Sequence, residues 1–166
     1  MATDSLTITG NLAAVIADLK KAAASIERDM RAAQAQIAGQ AQDLAVRGTN
    51  LGVYNTEPGR QYVRTGELLR GISALALSTA AGNFGVRVQN TSEHASQVEY
   101  GTYRNEIGPF QASELARQGG GTRQPLYLGR SGRNYTRPNP AITRATVYAS
   151  YALADAYQKV LRKHLL

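Results

Sequence analysis

The side chains of this chain that could do chemistry are few and widely spaced. The densest carboxylates are Glu93, Glu99 and Glu106, and the two imidazoles, His94 and His164, stand seventy residues apart. Neither histidine falls in a recognisable triad arrangement, and the serines lack the strand-to-helix elbow that exposes a nucleophile. No glycine-rich loop ends in Lys followed by Ser or Thr, so a nucleotide-phosphate cradle is not encoded. There are no cysteines, which excludes disulfides and thiolate metal sites, and the histidines have no metal-ligand spacing. The expectation is a chain that is not an enzyme and carries no cofactor, with His94 a satisfied helix residue.

Positive charge is the more prominent chemistry. The formal net charge is +7 and the isoelectric point near 9.9, a surface that attracts polyanions or acidic protein partners. Between Tyr103 and Arg137 lie six arginines, Arg104, Arg117, Arg123, Arg130, Arg133 and Arg137, against only two acids, Glu106 and Glu114. Glycines and the interleaved Tyr103, Tyr127 and Tyr135 accompany them. Arginine with aromatic stacking surfaces suits single-stranded nucleic acid, and the same composition suits a solvated or subunit-bridging loop. Such a stretch without clear periodicity reads as a functional arm or a segment that orders on binding. Its contacts are then with a protein partner or with DNA, and deleting Asn105 to Asn134 should leave a folded subunit.

The elements that position these residues follow from hydrophobic spacing. Leu12, Ile16, Leu19, Ala23, Ile26, Met30, Ala33, Ile37 and Leu44 alternate steps of four and three, interrupted where Gln40 takes the expected place. This predicts a helix over 11–47, about 35 residues and roughly 50 Å long at 1.5 Å per residue. Asn11 would cap its start and Gly48 would end it after Arg47. The helix lies on a sheet or offers its outer half to another subunit. Residues 48–64 read as loop, and Thr65 stands where the N-cap of a short helix belongs, with Leu68, Leu69 and Ile72 on one side.

Period-two runs follow, Leu75 and Leu77 in one and Val86 and Val88 in the next, with Ala81, Gly82 and Asn83 between them, which predicts a β-hairpin. His94, Ala95 and Val98 mark a short helix ending at Gly101. After Pro138 and Pro140 a final helix carries Ile142, Ala145, Ala149, Ala152, Leu153, Ala156 and Val160 on one stripe, with Lys159, Arg162, Lys163 and His164 near its end. With two Phe and no Trp, the core must be built from Ala, Leu, Val, Ile and Tyr. At 166 residues a single domain is expected, divided into the long helix, an α+β core at about 62–102, the arm at 103–137 and a helix over about 139–165. No run reaches the roughly 18 uninterrupted apolar residues of a membrane span, and the N-terminus lacks a secretory pattern, so a soluble intracellular product without membrane contact is expected.

Three segments together resemble a known family. YVRTGELLRGISA (Tyr62–Ala74) contains a Thr-Gly-x-Leu element at Thr65, Gly66 and Leu68. VQNTSEHASQVEYGT (Val88–Thr102) contains Asn90, Ala95, Glu99, Tyr100, Gly101 and Thr102 in the pattern V-x-N-x-x-x-x-A-x-x-V-E-Y-G-T. RPNPAITRA (Arg137–Ala145) is similar to a Pro-rich lead-in to a C-terminal helix. These resemble the head-tail connector or tail-completion (neck, minor capsid) proteins of lambda-like tailed phages, although His94 replaces the usual aromatic before the alanine and the arm is much longer. The resemblance implies an α+β fold in which long N- and C-terminal helices pack on a small antiparallel sheet, beside a long Arg/Gly-rich loop. It implies a virion structural protein made in the host cytoplasm, forming a six- or twelve-fold homo-oligomeric ring in the neck that joins the capsid and portal to the tail. Its partners would be portal, adaptor or tail proteins, with non-specific contact to packaged DNA. The alternative from the residues alone is a basic nucleic-acid-binding protein acting free in solution.

Overall fold

The computed structural model describes residues 12–54, 65–78, 82–101, 106–118, 121–124 and 138–165. Helix α1 runs Leu12–Thr49 and passes into a π-helical turn at Asn50–Tyr54. Helix α2 (Glu67–Arg70), strands β1 (Ile72–Ser78) and β2 (Phe84–Asn90), α3 (Ala95–Tyr100), α4 (Pro109–Gln118) and α5 (Ala141–Leu165) follow. The fold is α+β and mostly helical, with the two long helices packed on a two-stranded antiparallel hairpin, as expected.

The apolar seam of α1 becomes core from Met30 onward. Ile37, Ala41, Leu44 and Ala45 meet Ile72 of β1 and Ala145 and Ala149 of α5, and Val86 and Val88 close the cluster from β2. Four of these seven buried core residues are alanines, so the helices approach closely and dispersion between backbones replaces large side chains. Polar residues within the seam are matched. Gln34 is buried, and its Nε2 donates to the carbonyls of Leu77 at 2.6 Å and Gly85 at 2.5 Å, pinning the hairpin to α1. Gln40, the break in the seam, accepts a hydrogen bond from the Tyr148 hydroxyl of α5.

Pairing places Leu75 opposite Arg87 and Leu77 opposite Gly85, while Ala74 and Ala76 oppose Val88 and Val86. Directly opposed residues share a face. Val86 and Val88 therefore face the helices, and Leu75 and Leu77 face away from them, 48% and 40% exposed.

Three sequence expectations are corrected. Gly48 does not end α1. The helix continues to Thr49 and the chain stays helical to Tyr54; the glycine instead lets α1 meet the start of α5, where a β-carbon would lie only 3.0 Å from that of Ala141. The short helix is capped by Gly66, in the left-handed region at φ 73°, and not by Thr65, whose hydroxyl only accepts from the Glu67 amide at 3.4 Å. The stretch 103–137 is not uniformly irregular. It contains α4, whose Ala112 and Ala116 are fully buried, and removing 105–134 would strip this packed helix away. The proposed Asn11 cap lies outside the described residues.

Candidate functional site

Most of the motif residues converge where α2, β2, α3 and the start of α5 meet. Asn90 bridges two of these elements: its Nδ2 donates to the Leu68 carbonyl at 3.0 Å and its Oδ1 accepts from the Ser92 amide at 3.0 Å. Leu68, Val98 and Val53 form a small second core, with Tyr54 and Ala95 packed against it. Gly101 ends α3 at φ 82°, its amide donating to Gln97, and the Tyr100 carbonyl accepts from Ile107. Positive φ at Gly66 and Gly101 explains glycine at both positions, since a side chain there is strained.

Glu99 holds this knot to the C-terminal helix. Its carboxyl is buried, and its two oxygens accept from the backbone amides of Ile142 at 3.0 Å and Thr143 at 2.6 Å. These are first-turn amides of α5, which have no partner within the helix. Glu99 thus caps α5 from more than forty residues away. Burial pushes its carboxyl pKa up, and the Thr143 and Ile142 donors oppose that rise. A carboxylate spent in this way is not available as a general acid or base.

Beside it, the Asn139 amide donates to the Val98 carbonyl at 2.8 Å, and its side chain donates to the Gly48 carbonyl at 3.1 Å. Asn139 so ties α3, α1 and α5 together. Among the described residues its buried Oδ1 accepts no hydrogen bond. Arg144, only 2% exposed, reaches from α5 to the Ala116 carbonyl, the Gln124 carbonyl at 3.2 Å and the Thr122 hydroxyl at 2.7 Å. It fastens α4 and the turn after it, and burial lowers its pKa. Sequence reasoning missed both residues. The signals were an asparagine between two prolines and an arginine flanking an apolar stripe.

The candidate arginines separate. Arg123 pairs with Asp43 of α1 at 3.7 Å, and Arg117 sits in the last turn of α4, where a cation is favoured. Arg104, Arg130, Arg133 and Arg137, together with Thr102, lie outside the described residues. His94 precedes α3 and is exposed, with its backbone carbonyl accepting from Val98. His164 joins Lys163 on Asp29 at 2.9 and 2.7 Å, locking the end of α5 to α1. Those donors hold the Asp29 carboxyl well below the usual carboxylate range. The lock therefore contributes stability above that range and is lost only as pH falls through the lowered value.

Beyond this lock α1 continues toward its N-terminus, where Leu12–Lys21 are all exposed. From Asp29 back to Leu12 it extends about 26 Å at 1.5 Å per residue, and Leu12, Val15, Ile16 and Leu19 stand 70%, 53%, 43% and 61% exposed on one face. Among the described residues no group of three potential metal ligands occurs, and none of their helices is long and apolar enough to cross a membrane. A polar knot thus fixes the core, while the α1 stripe and the outer hairpin face leave apolar side chains exposed.

Comparison with known proteins gives one family. The model of the family described as "Bacteriophage HK97-gp10, putative tail-component" matches residues 13–101, more than half the chain. The match takes in the long helix from its second residue and the two motif segments as far as Gly101, whereas Thr102 and the Pro-rich lead-in at Arg137–Ala145 lie outside it. No curated protein and no solved structure matches.

Proposed function

The chain belongs to the bacteriophage HK97-gp10 tail-component family, and from that premise we propose that it is a structural subunit of the phage neck, one copy in a closed ring joining the capsid and portal to the tail. Membership implies contact with other phage structural proteins and a place in the virion. The ring and the neck position are our reading of how this subunit serves that role.

The observation that carries the reading is the uncovered stripe on α1. An apolar face that protrudes from a subunit marks an interaction surface. Fully burying a side chain of this kind contributes about 1.5–3 kcal/mol, and these four start 43–70% exposed, so the gross gain stays near the low end of the roughly 4–15 kcal/mol lost on association. A single such contact is weak. In a closed ring each subunit makes two of them, and closure secures what one pair does not. The most distinctive carboxylate, Glu99, is committed to capping α5.

The remaining arginine-rich stretch, Pro125–Arg137, is proposed to dock on a neighbouring virion component, and a basic lining tolerates passing DNA without reading its sequence. A phage lacking this product is expected to accumulate filled heads and separate tails, and the full chain supplied in trans should restore joining. A chain lacking Pro125–Asn134 retains α4 and the Ala116, Thr122 and Gln124 acceptors of Arg144, so it should fold yet fail to restore joining. Normal joining without the product would remove the neck role; full rescue by the shortened chain would remove only the docking role of that stretch.

A further inference from the structure

We propose that the Leu12–Leu19 stripe of one copy seats on the outer hairpin face, Leu75 and Leu77, of the next copy, with Asp18 of the first against Arg87 of the second. The proposal rests on the ring reading and names the two surfaces that build the ring.

Both surfaces are bare apolar patches of one chain, and they cannot meet within it. Gln34 is the residue of α1 that touches the hairpin carbonyls, and Leu19 lies about 22 Å further along the helix at 1.5 Å per residue. The outward hairpin face consists of Ser73, Leu75 and Leu77 on β1 against Gln89, Arg87 and Gly85 on β2. Gly85 opposite Leu77 leaves a shallow seat, and Arg87 makes this face positive with no acid on it. On an α-helix Asp18 flanks Val15 at the edge of the apolar stripe. Among the described residues neither Asp18 nor Arg87 has an ion-pair partner.

The pairing is therefore apolar on apolar with one complementary charge at its edge. Another stripe as occupant would bring two Asp18 flanks into one contact and leave the Leu75–Leu77 face and Arg87 uncovered. Since the two patches differ, the contact is heterologous, and repeating it by rotation gives a ring or a filament and not a closed dimer. All of both patches but Leu12 also falls within the span that matches the family, 13–101.

The absence of cysteine makes the test direct. A disulfide needs Cα atoms within about 7 Å, whereas Ile16 stands about 27 Å along α1 from Gln34, so a bond between positions 16 and 77 can form only between copies. Full-length Ile16→Cys and Leu77→Cys chains are mixed under mild oxidation, with Gln158→Cys, on the exposed face of α5, as the control. The expected dominant product is the 16–77 heterodimer, and the chain carrying both substitutions should give a ladder of covalent oligomers. Asp18→Arg should lower the yield by up to about fivefold, the range of an exposed ion pair, and adding Arg87→Asp should restore it. Dominant 16–16 or 77–77 products, or a 16–77 yield no greater than that of the control, overturn the contact. If wild-type rings form while the 16–77 bond does not, the contact falls and the ring stands; a wild-type chain that stays monomeric removes the ring independently of the cysteines.

Discussion

Arg144→Ala is expected to destabilise the subunit by about 3 kcal/mol and to release α4 from α5. Hydrogen bonds to a charged donor contribute about 1.5–3 kcal/mol each, and an orphaned buried acceptor costs about 1–3 kcal/mol. Arg144 serves the Ala116 and Gln124 carbonyls and the Thr122 hydroxyl. The sum is moderated because the variant also removes a guanidinium whose burial is costly, as its lowered pKa records. Helix α4 has ten residues, too short to persist without packing, and its buried contribution is two alanines. Amide exchange across Ala112–Gln118 should accelerate toward that of an open helix while α1 keeps its protection. Lysine should not rescue, since it lacks the planar fork that reaches the Ala116, Gln124 and Thr122 acceptors together. A change below about 1 kcal/mol, with α4 still protected, would contradict the stapling role.

Glu99→Ala comes next, with an expected loss of about 2–3 kcal/mol from two uncapped amides and the void left by the side chain. Glu99→Gln should lose roughly half of that, because its carboxamide offers one acceptor where two amides need one each. The pH dependence separates capping from bulk. Burial raises the folded pKa of Glu99 above its ordinary value of 4.5, so the protonated form is favoured in the folded state. Its contribution is fully present below that ordinary value and is lost as pH rises through the folded value. Urea titrations at increasing pH should show the wild type losing stability relative to Glu99→Gln above 4.5. A constant difference between the two chains would mean that the buried carboxyl is not titrating there.

The sequence made the long elements legible because their apolar residues repeat. The seam of α1, the alternation of the hairpin and the stripe of α5 each appear in the structure with nearly the expected limits. Two local rules lost to tertiary packing. Gly48 favours a helix end, but contact with Ala141 makes it a point of helix approach. Thr65 favours an N-cap, but the left-handed backbone at Gly66 takes that position. Helix α4 was invisible because its buried residues are alanines, its large apolar residue Phe110 is 76% exposed, and glycines follow closely.

The candidate site was legible as motif and opaque as mechanism. Glu99 stood out in the pattern V-E-Y-G-T, yet its partners Ile142 and Thr143 are reached only through the fold. Arg123 was grouped with an arm and instead pairs with Asp43 of α1. Asn139 ties the junction to α1 and Arg144 fastens α4 to α5, and no periodicity rule selects a polar residue for burial. Such residues are recognised only when their acceptors are in place.

The assembly claim is tested most directly by electron microscopy of the purified full-length chain, free of nucleic acid. The account predicts closed rings of uniform copy number in which neighbours touch through α1 and the hairpin. A homogeneous monomer at concentrations where phage structural rings assemble, with its α1 stripe still bare, would contradict it.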